Sequence, residues 1–180
     1  MSEVEICKLA YEGKFELLKL RILEKKNLIN AIDQSGRMPI HWAASGGHED
    51  IVTLLIQFGS PCDKPDDVGW TPLMIAASAG RTNIVSTLIN EGARVNAVNN
   101  NGQSALHYAA SKGRHEVVCV WCGIAEILLS HHADLNVRDN MGSSPLHRAA
   151  SQGHNKIVAL FLQYSNRLDI NSKDCEGNTP

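Results

Sequence analysis

Asp67-Val68-Gly69-Trp70-Thr71-Pro72-Leu73-Met74-Ile75-Ala76-Ala77-Ser78-Ala79-Gly80 is the stretch that decides the fold. Gly69 supplies the positive φ of a tight tip. Thr71 can cap the helix that follows, and Pro72 suits its first turn, where a missing N–H costs nothing. Ala76-Ala77 gives that helix a side without bulk, and Gly80 ends it. The pattern recurs in phase. Glycines ahead of a Thr-Pro-like pair stand at Gly36, Gly69, Gly102, Gly142 and Gly177, in steps of 33, 33, 40 and 35 residues. The same register aligns Met38-Pro39-Ile40-His41, Ser104-Ala105-Leu106-His107 and Ser144-Pro145-Leu146-His147 with the segment opened by Thr71. It also aligns Ala43-Ala44, Ala109-Ala110 and Ala149-Ala150, with closing glycines at Gly47, Gly113 and Gly153. A repeated unit this regular predicts a stacked array.

Each unit reads as turn, helix, turn, helix. After Gly47-His48, the residues Ile51, Val52, Leu54 and Leu55 form the apolar stripe of a second helix, and Ile84, Val85, Leu88 and Ile89 repeat it. These columns resemble ankyrin repeats across essentially the whole chain. The resemblance implies an all-α ankyrin-repeat solenoid, helix-turn-helix repeats with β-hairpin tips, in a single array over 1–180. Its units are a degenerate cap at 4–32, then 33–65, 66–98, 99–138 and 139–173, with 174–180 opening a truncated sixth. A degenerate first unit is what an N-terminal cap should look like, because its outer face meets water. The fourth unit is seven residues too long, with the surplus near 117–123. Seven residues are almost two helical turns, so the insertion either lengthens a helix in register or bulges at Gly123. In either form Val118, Val120 or Trp121 loses shelter. The end at Thr179-Pro180 reads as a truncated product, an isoform or a fragment.

Composition excludes several function classes. Of 180 residues 43% are hydrophobic and 20% charged, a mix that can bury a core. Seventeen Lys+Arg against nineteen Asp+Glu give a net charge of −2, without the basic excess of a nucleic-acid binder. The greasiest run, 117–129, is too short to span a bilayer and contains Glu126. Met1-Ser2-Glu3-Val4-Glu5 is acidic with no apolar run behind it, unlike a secretion signal. Five scattered cysteines point to a reducing compartment, cytoplasmic and nuclear.

Catalytic chemistry finds little footing. His41, His107 and His147 occupy one repeat column, and His48 and His154 another, so they are spread along the array rather than convergent. Their expected work is to tie adjacent turns together. His131-His132 reads as a solvated turn. Cys119 and Cys122 form a Cys-x-x-Cys, but zinc needs four ligands and no second pair exists. No phosphate-binding loop, nucleophile elbow or carboxylate pair is visible. The chain is therefore expected to be no enzyme, with no cofactor and no metal.

What remains is surface. In such arrays the tips and first helices offer a concave face not committed to the core. The position after the histidine column holds Trp42, Ile75, Tyr108 and Arg148; Trp70 stands at a tip, and Arg37 and Lys112 add positive charge. Aromatic and arginine side chains are frequent interface anchors. Within the ankyrin-repeat family the tips narrow the likeness further. Asp67 through Leu73, Ile75 through Arg81, Val95-Asn96-Ala97-Val98-Asn99 and Leu106 through Lys112 resemble the ankyrin-repeat chaperones that assemble the proteasome's regulatory particle. That resemblance implies a monomeric protein-binding scaffold gripping the C-terminal domain of a proteasomal ATPase subunit, with Arg37 and Lys112 at the contact. The alternative is a cyclin-dependent-kinase-binding or generic ankyrin adaptor in cell-cycle regulation. Neither nucleic acid nor membrane is an expected partner.

Overall fold

The computed structural model describes residues 3–112 and 120–180. Ten α-helices among the described residues come in pairs: α1 (Glu3–Tyr11) with α2 (Phe15–Glu24), α3 (Pro39–Gly46) with α4 (Glu49–Gln57), α5 (Pro72–Ser78) with α6 (Thr82–Asn90), α7 (Ala105–Ser111) with α8 (Val120–Ser130), and α9 (Pro145–Ser151) with α10 (Asn155–Leu162). A short 3-10 turn, Lys26–Asn30, follows α2. The chain forms two compact units, Met1–Arg94 and Val95–Pro180, where the sequence reads as one array.

The first helix of each pair starts and packs for reasons visible in its residues. Thr71 Oγ1 accepts the Met74 N–H at 3.3 Å, capping α5. The alanine pairs lie buried wherever helices meet: Ala43, Ala44, Ala76 and Ala77 in the first unit, Ala109, Ala110 and Ala149 in the second. Without bulk beyond Cβ, they let α1 lie against α3 and α3 against α5, and likewise α7 against α9. The second helices carry the core. Ile51, Val52 and Leu55 of α4 and Val85 and Leu88 of α6 are fully enclosed, as are Ile157 and Phe161 of α10.

Two histidine columns stitch the pairs together. His41 Nδ1 accepts the Met38 N–H at 3.1 Å, and its Nε2–H donates to the Lys64 carbonyl at 3.0 Å. His107 does the same between Ser104 N–H and the Ser143 carbonyl, and His147 between Ser144 N–H and the Asn178 carbonyl. Each ring closes a helix N-terminus and anchors the next tip at once. The second column reaches backward instead. His48 Nε2 meets the Tyr11 carbonyl at 2.9 Å, Arg81 Nη2 the Ser45 carbonyl at 3.3 Å, and His154 Nε2 the Ser111 carbonyl at 3.4 Å. Each contacts a carbonyl at the end of the preceding first helix, where such groups lack helical partners.

The expected hairpin tips are present as tight turns, and no strand is assigned among the described residues. Each tip closes within five residues, as where the Asp33 N–H donates to the Arg37 carbonyl, and neighbouring tips are joined by a backbone bond such as Asp67 N–H to the Ser35 carbonyl at 3.1 Å. The tip glycines all have positive φ, 72° at Gly36. A Cβ on Gly36 would lie 2.2 Å from Asp67 Oδ1, whereas one on Gly59 (φ +95°) would meet nothing within 4 Å. Gly36→Ala should therefore cost about 2 kcal/mol or more, against about 1 kcal/mol for Gly59→Ala. Equal urea midpoints for the two variants would contradict the packed tip.

Two further observations concern the first unit and the insertion. In the first unit Leu17, Leu20 and Leu23 of α2 stand exposed, Leu23 lining a groove with Gln57 and Phe58. Gly123 sits inside α8, so from Val120 onward the surplus is helical, with Val120 exposed. Val118, Cys119 and Gly113 lie outside the described residues.

Candidate protein-binding surface

Each tip opens on Asp or Asn: Asp33, Asp66, Asn99, Asp139 and Asp174. Oδ1 of each accepts the backbone N–H groups two and four residues on. For Asp33 these are Ser35 (2.8 Å) and Arg37 (3.0 Å), and for Asn99 they are Asn101 and Gln103 (both 3.0 Å). Asp66, Asp139 and Asp174 repeat the arrangement. This side-chain turn, which Asp and Asn form readily, fixes the tip. It also leaves the second terminal atom of each side chain to bind something else.

Nine residues on stands the first-helix position after the histidine column, and in three repeats it supplies the partner. Trp42 Nε1–H donates to Asp33 Oδ2 at 2.8 Å. Asn99 Nδ2–H donates to the Tyr108 hydroxyl at 2.7 Å, and that hydroxyl donates in turn to Gln103 Oε1. Arg148 Nη2 pairs with Asp139 Oδ2. Trp42, Tyr108 and Arg148 are thus tethered to the tips, which corrects their reading as uncommitted positions. The signal was in the sequence, as an Asp or Asn three residues before every tip glycine.

In the first unit, Arg37 Nε pairs with Asp66 Oδ2 at 2.9 Å while its guanidinium lies 5.4 Å over the Trp42 ring. The other neighbour of Trp42 is Tyr11, edge-on at 5.8 Å and 87°, an exposed aromatic that the sequence reading did not single out. Beside them runs a groove of about 300 Å³ lined by Val4, Cys7, Lys8, Tyr11, Asp33 and Trp42. Trp70 is half-buried at the next tip. Ile75 is only 7% exposed, so a partner would find little of its side chain. In the second unit, Tyr108 and Arg148 are half-buried, and Lys112 is exposed just beyond α7.

The electrostatics follow from the tethers. Burial opposes ionisation of Asp33, but the Ser35 and Arg37 N–H groups, the Trp42 indole and the Arg37 charge outweigh it, holding its carboxyl below the usual range. At Asp139 burial likewise opposes, and the Arg148 hydrogen bond and charge with the Ser143 and Met141 N–H groups prevail. Replacing Asp33 by Ala removes the tip acceptor and leaves the Trp42 indole N–H unpaired. A loss of about 2 kcal/mol is expected, read by urea titration beside a blue-shifted or broadened Trp42 emission. An unchanged midpoint would count against the tether. Among the described residues, no group of three or more His, Cys, Asp or Glu is placed to hold a metal ion, and no helix is long and apolar enough to cross a membrane. The buried histidines are occupied in the structural bonds described above.

Repeated helix pairs, self-closed tips and histidine stitching define the class. The chain belongs to the ankyrin-repeat family, whose model (ankyrin repeats, 3 copies) matches residues 6–99, 60–122 and 118–180. Membership in that family points to a protein-binding scaffold. Within that family it is similar to 26S proteasome non-ATPase regulatory subunit 10 (gankyrin): 48% identical over 69 residues to the Mus musculus protein and 47% over 69 residues to the Homo sapiens protein. The matched stretch is 38% of this chain and 30% of each relative, so the likeness spans under a third of the relatives' length.

Proposed function

We propose that this chain is a chaperone for assembly of the 26S proteasome regulatory particle, holding the C-terminal domain of one ATPase-ring subunit against its tips and first helices. It acts as a monomer in the cytoplasm and nucleus, on protein rather than nucleic acid or membrane. The similarity to a regulatory subunit of that particle supports the reading. The observation that carries it is Arg37, whose side chain is 28% exposed, fixed by Asp66 and laid over Trp42. A fixed guanidinium beside an aromatic ring suits a carboxylate on a partner surface. Lys112 and Arg148 supply further cationic donors in the second unit. No covalent step is required, since the scaffold shields and positions its partner until the ring closes around it.

Calorimetric titration with a purified ATPase C-terminal domain tests this. Binding is expected, and Arg37→Ala should weaken it by at least about 2 kcal/mol. Absence of binding, with a cyclin-dependent kinase bound instead, would reassign the chain as a cell-cycle adaptor.

A further inference from the structure

The Arg37–Asp66 pair breaks the rule that governs the other tethered tips. At Asp33, Asn99 and Asp139 the second terminal atom is joined to the residue nine positions on, in the same repeat. Nine positions after Asp66 stands Ile75, which is apolar, buried and without a donor. Asp66 Oδ2 takes Arg37 Nε instead, from the tip before it, at 2.9 Å. Where the column lacks a donor, the carboxylate pairs with the arginine of the preceding tip.

The consequences for Arg37 are specific. The Asp66 side chain is 0% exposed, so water cannot readily replace the arginine there, and salt screens the pair weakly. The bond uses Nε, which leaves the donors of both Nη groups. The Trp42 ring supports the guanidinium from a second direction. A long side chain that would sample many rotamers is held in one, and the ordering cost of binding is met before a partner arrives.

We propose that Asp66 is a positioning residue for the binding surface: it acts through Arg37, holding the guanidinium against Trp42 with its Nη edge available to a partner's carboxylate. This rests on the proposed function in taking Arg37 as a contact. Asp66 itself, wholly enclosed, touches no partner.

Asp66→Asn in the full chain separates positioning from folding. Asn99 shows that an amide oxygen closes the tip turn as well as a carboxylate does, so the turn bonds to Val68 and Trp70 survive while the charge on the second atom is lost. Two readouts are taken. In the free protein, the ¹⁵N–Hε signal of Arg37 should be ordered and slow to exchange in the parent chain, and mobile in the variant. In calorimetry with the ATPase C-terminal domain, Asp66→Asn should weaken binding by about tenfold or more, close to Arg37→Ala, and the double variant should be no weaker than Arg37→Ala alone. An Arg37 Nε signal equally rigid in the variant overturns the proposal. So does affinity within about twofold of the parent when Arg37→Ala costs tenfold. If the parent chain fails to bind that domain, the functional reading falls, and the Nε signal still decides whether Asp66 positions Arg37.

Discussion

Replacing Leu88 with Ala will destabilise the first unit by about 3 kcal/mol, the largest loss expected from any single truncation on α6. Leu88 is fully enclosed, on a helix that packs against both α4 and α5. The cost combines lost transfer energy with the cavity left behind, because a close-packed surrounding relaxes only partly. In a repeat protein each unit is held mainly by its neighbours, so loosening α6 removes support from α4 as well. Leu20→Ala provides the contrast. Leu20 is 51% exposed on the outer face of α2, and its removal should change stability by less than about 0.5 kcal/mol. Urea unfolding followed by far-UV circular dichroism reads both. A loss under about 1 kcal/mol for Leu88→Ala would mean the second helices do not carry the core.

Lowering the pH below 6.5 will weaken the fold well before the carboxylates titrate. Burial holds the imidazoles of His41 and His107 below their ordinary value of 6.5, against the raising influence of Asp66 and the Lys64 carbonyl on one and the Ser143 carbonyl and Asp139 on the other. The unfolded chain therefore takes up protons first as pH falls. The contribution is complete above about 6.5 and is lost progressively as pH drops through the folded-state values. Structure gives the same sign, because a proton on Nδ1 would face the backbone N–H that now donates to it. Asp33 and Asp139, whose carboxyls are held below 3.8, add a second loss of the same sign only below that value. His107→Ala should start about 2–3 kcal/mol less stable, with the Ser104 N–H and Ser143 carbonyl left unpaired, and should show a shallower slope between pH 7 and 5. A parent midpoint flat over that interval would rule out the neutral, doubly bonded imidazole.

How much of this was legible in the residues divides along a physical line. The tip glycines, Thr71-Pro72, the alanine pairs and stripes such as Ile84, Val85, Leu88 and Ile89 could be read because each is a local demand of backbone or burial. The histidine stitching could be read because its period matched the repeat. The tether from tip to first helix was not anticipated, although Asp33, Asp66, Asn99 and Asp139 stand in phase. The phase marks the acceptor, but a hydrogen bond across nine residues also depends on where two elements meet. The same holds for Arg37, whose partner Asp66 lies 29 residues away in the next tip.

Hydrogen exchange of the chain with and without the ATPase C-terminal domain tests the central claim most directly. The expected result is slowed exchange in peptides covering the tips about Arg37 and Trp70 and the segment through Lys112, with α4, α6 and α10 unchanged. Protection confined to those second helices, with the tips exchanging as in the free chain, would contradict it.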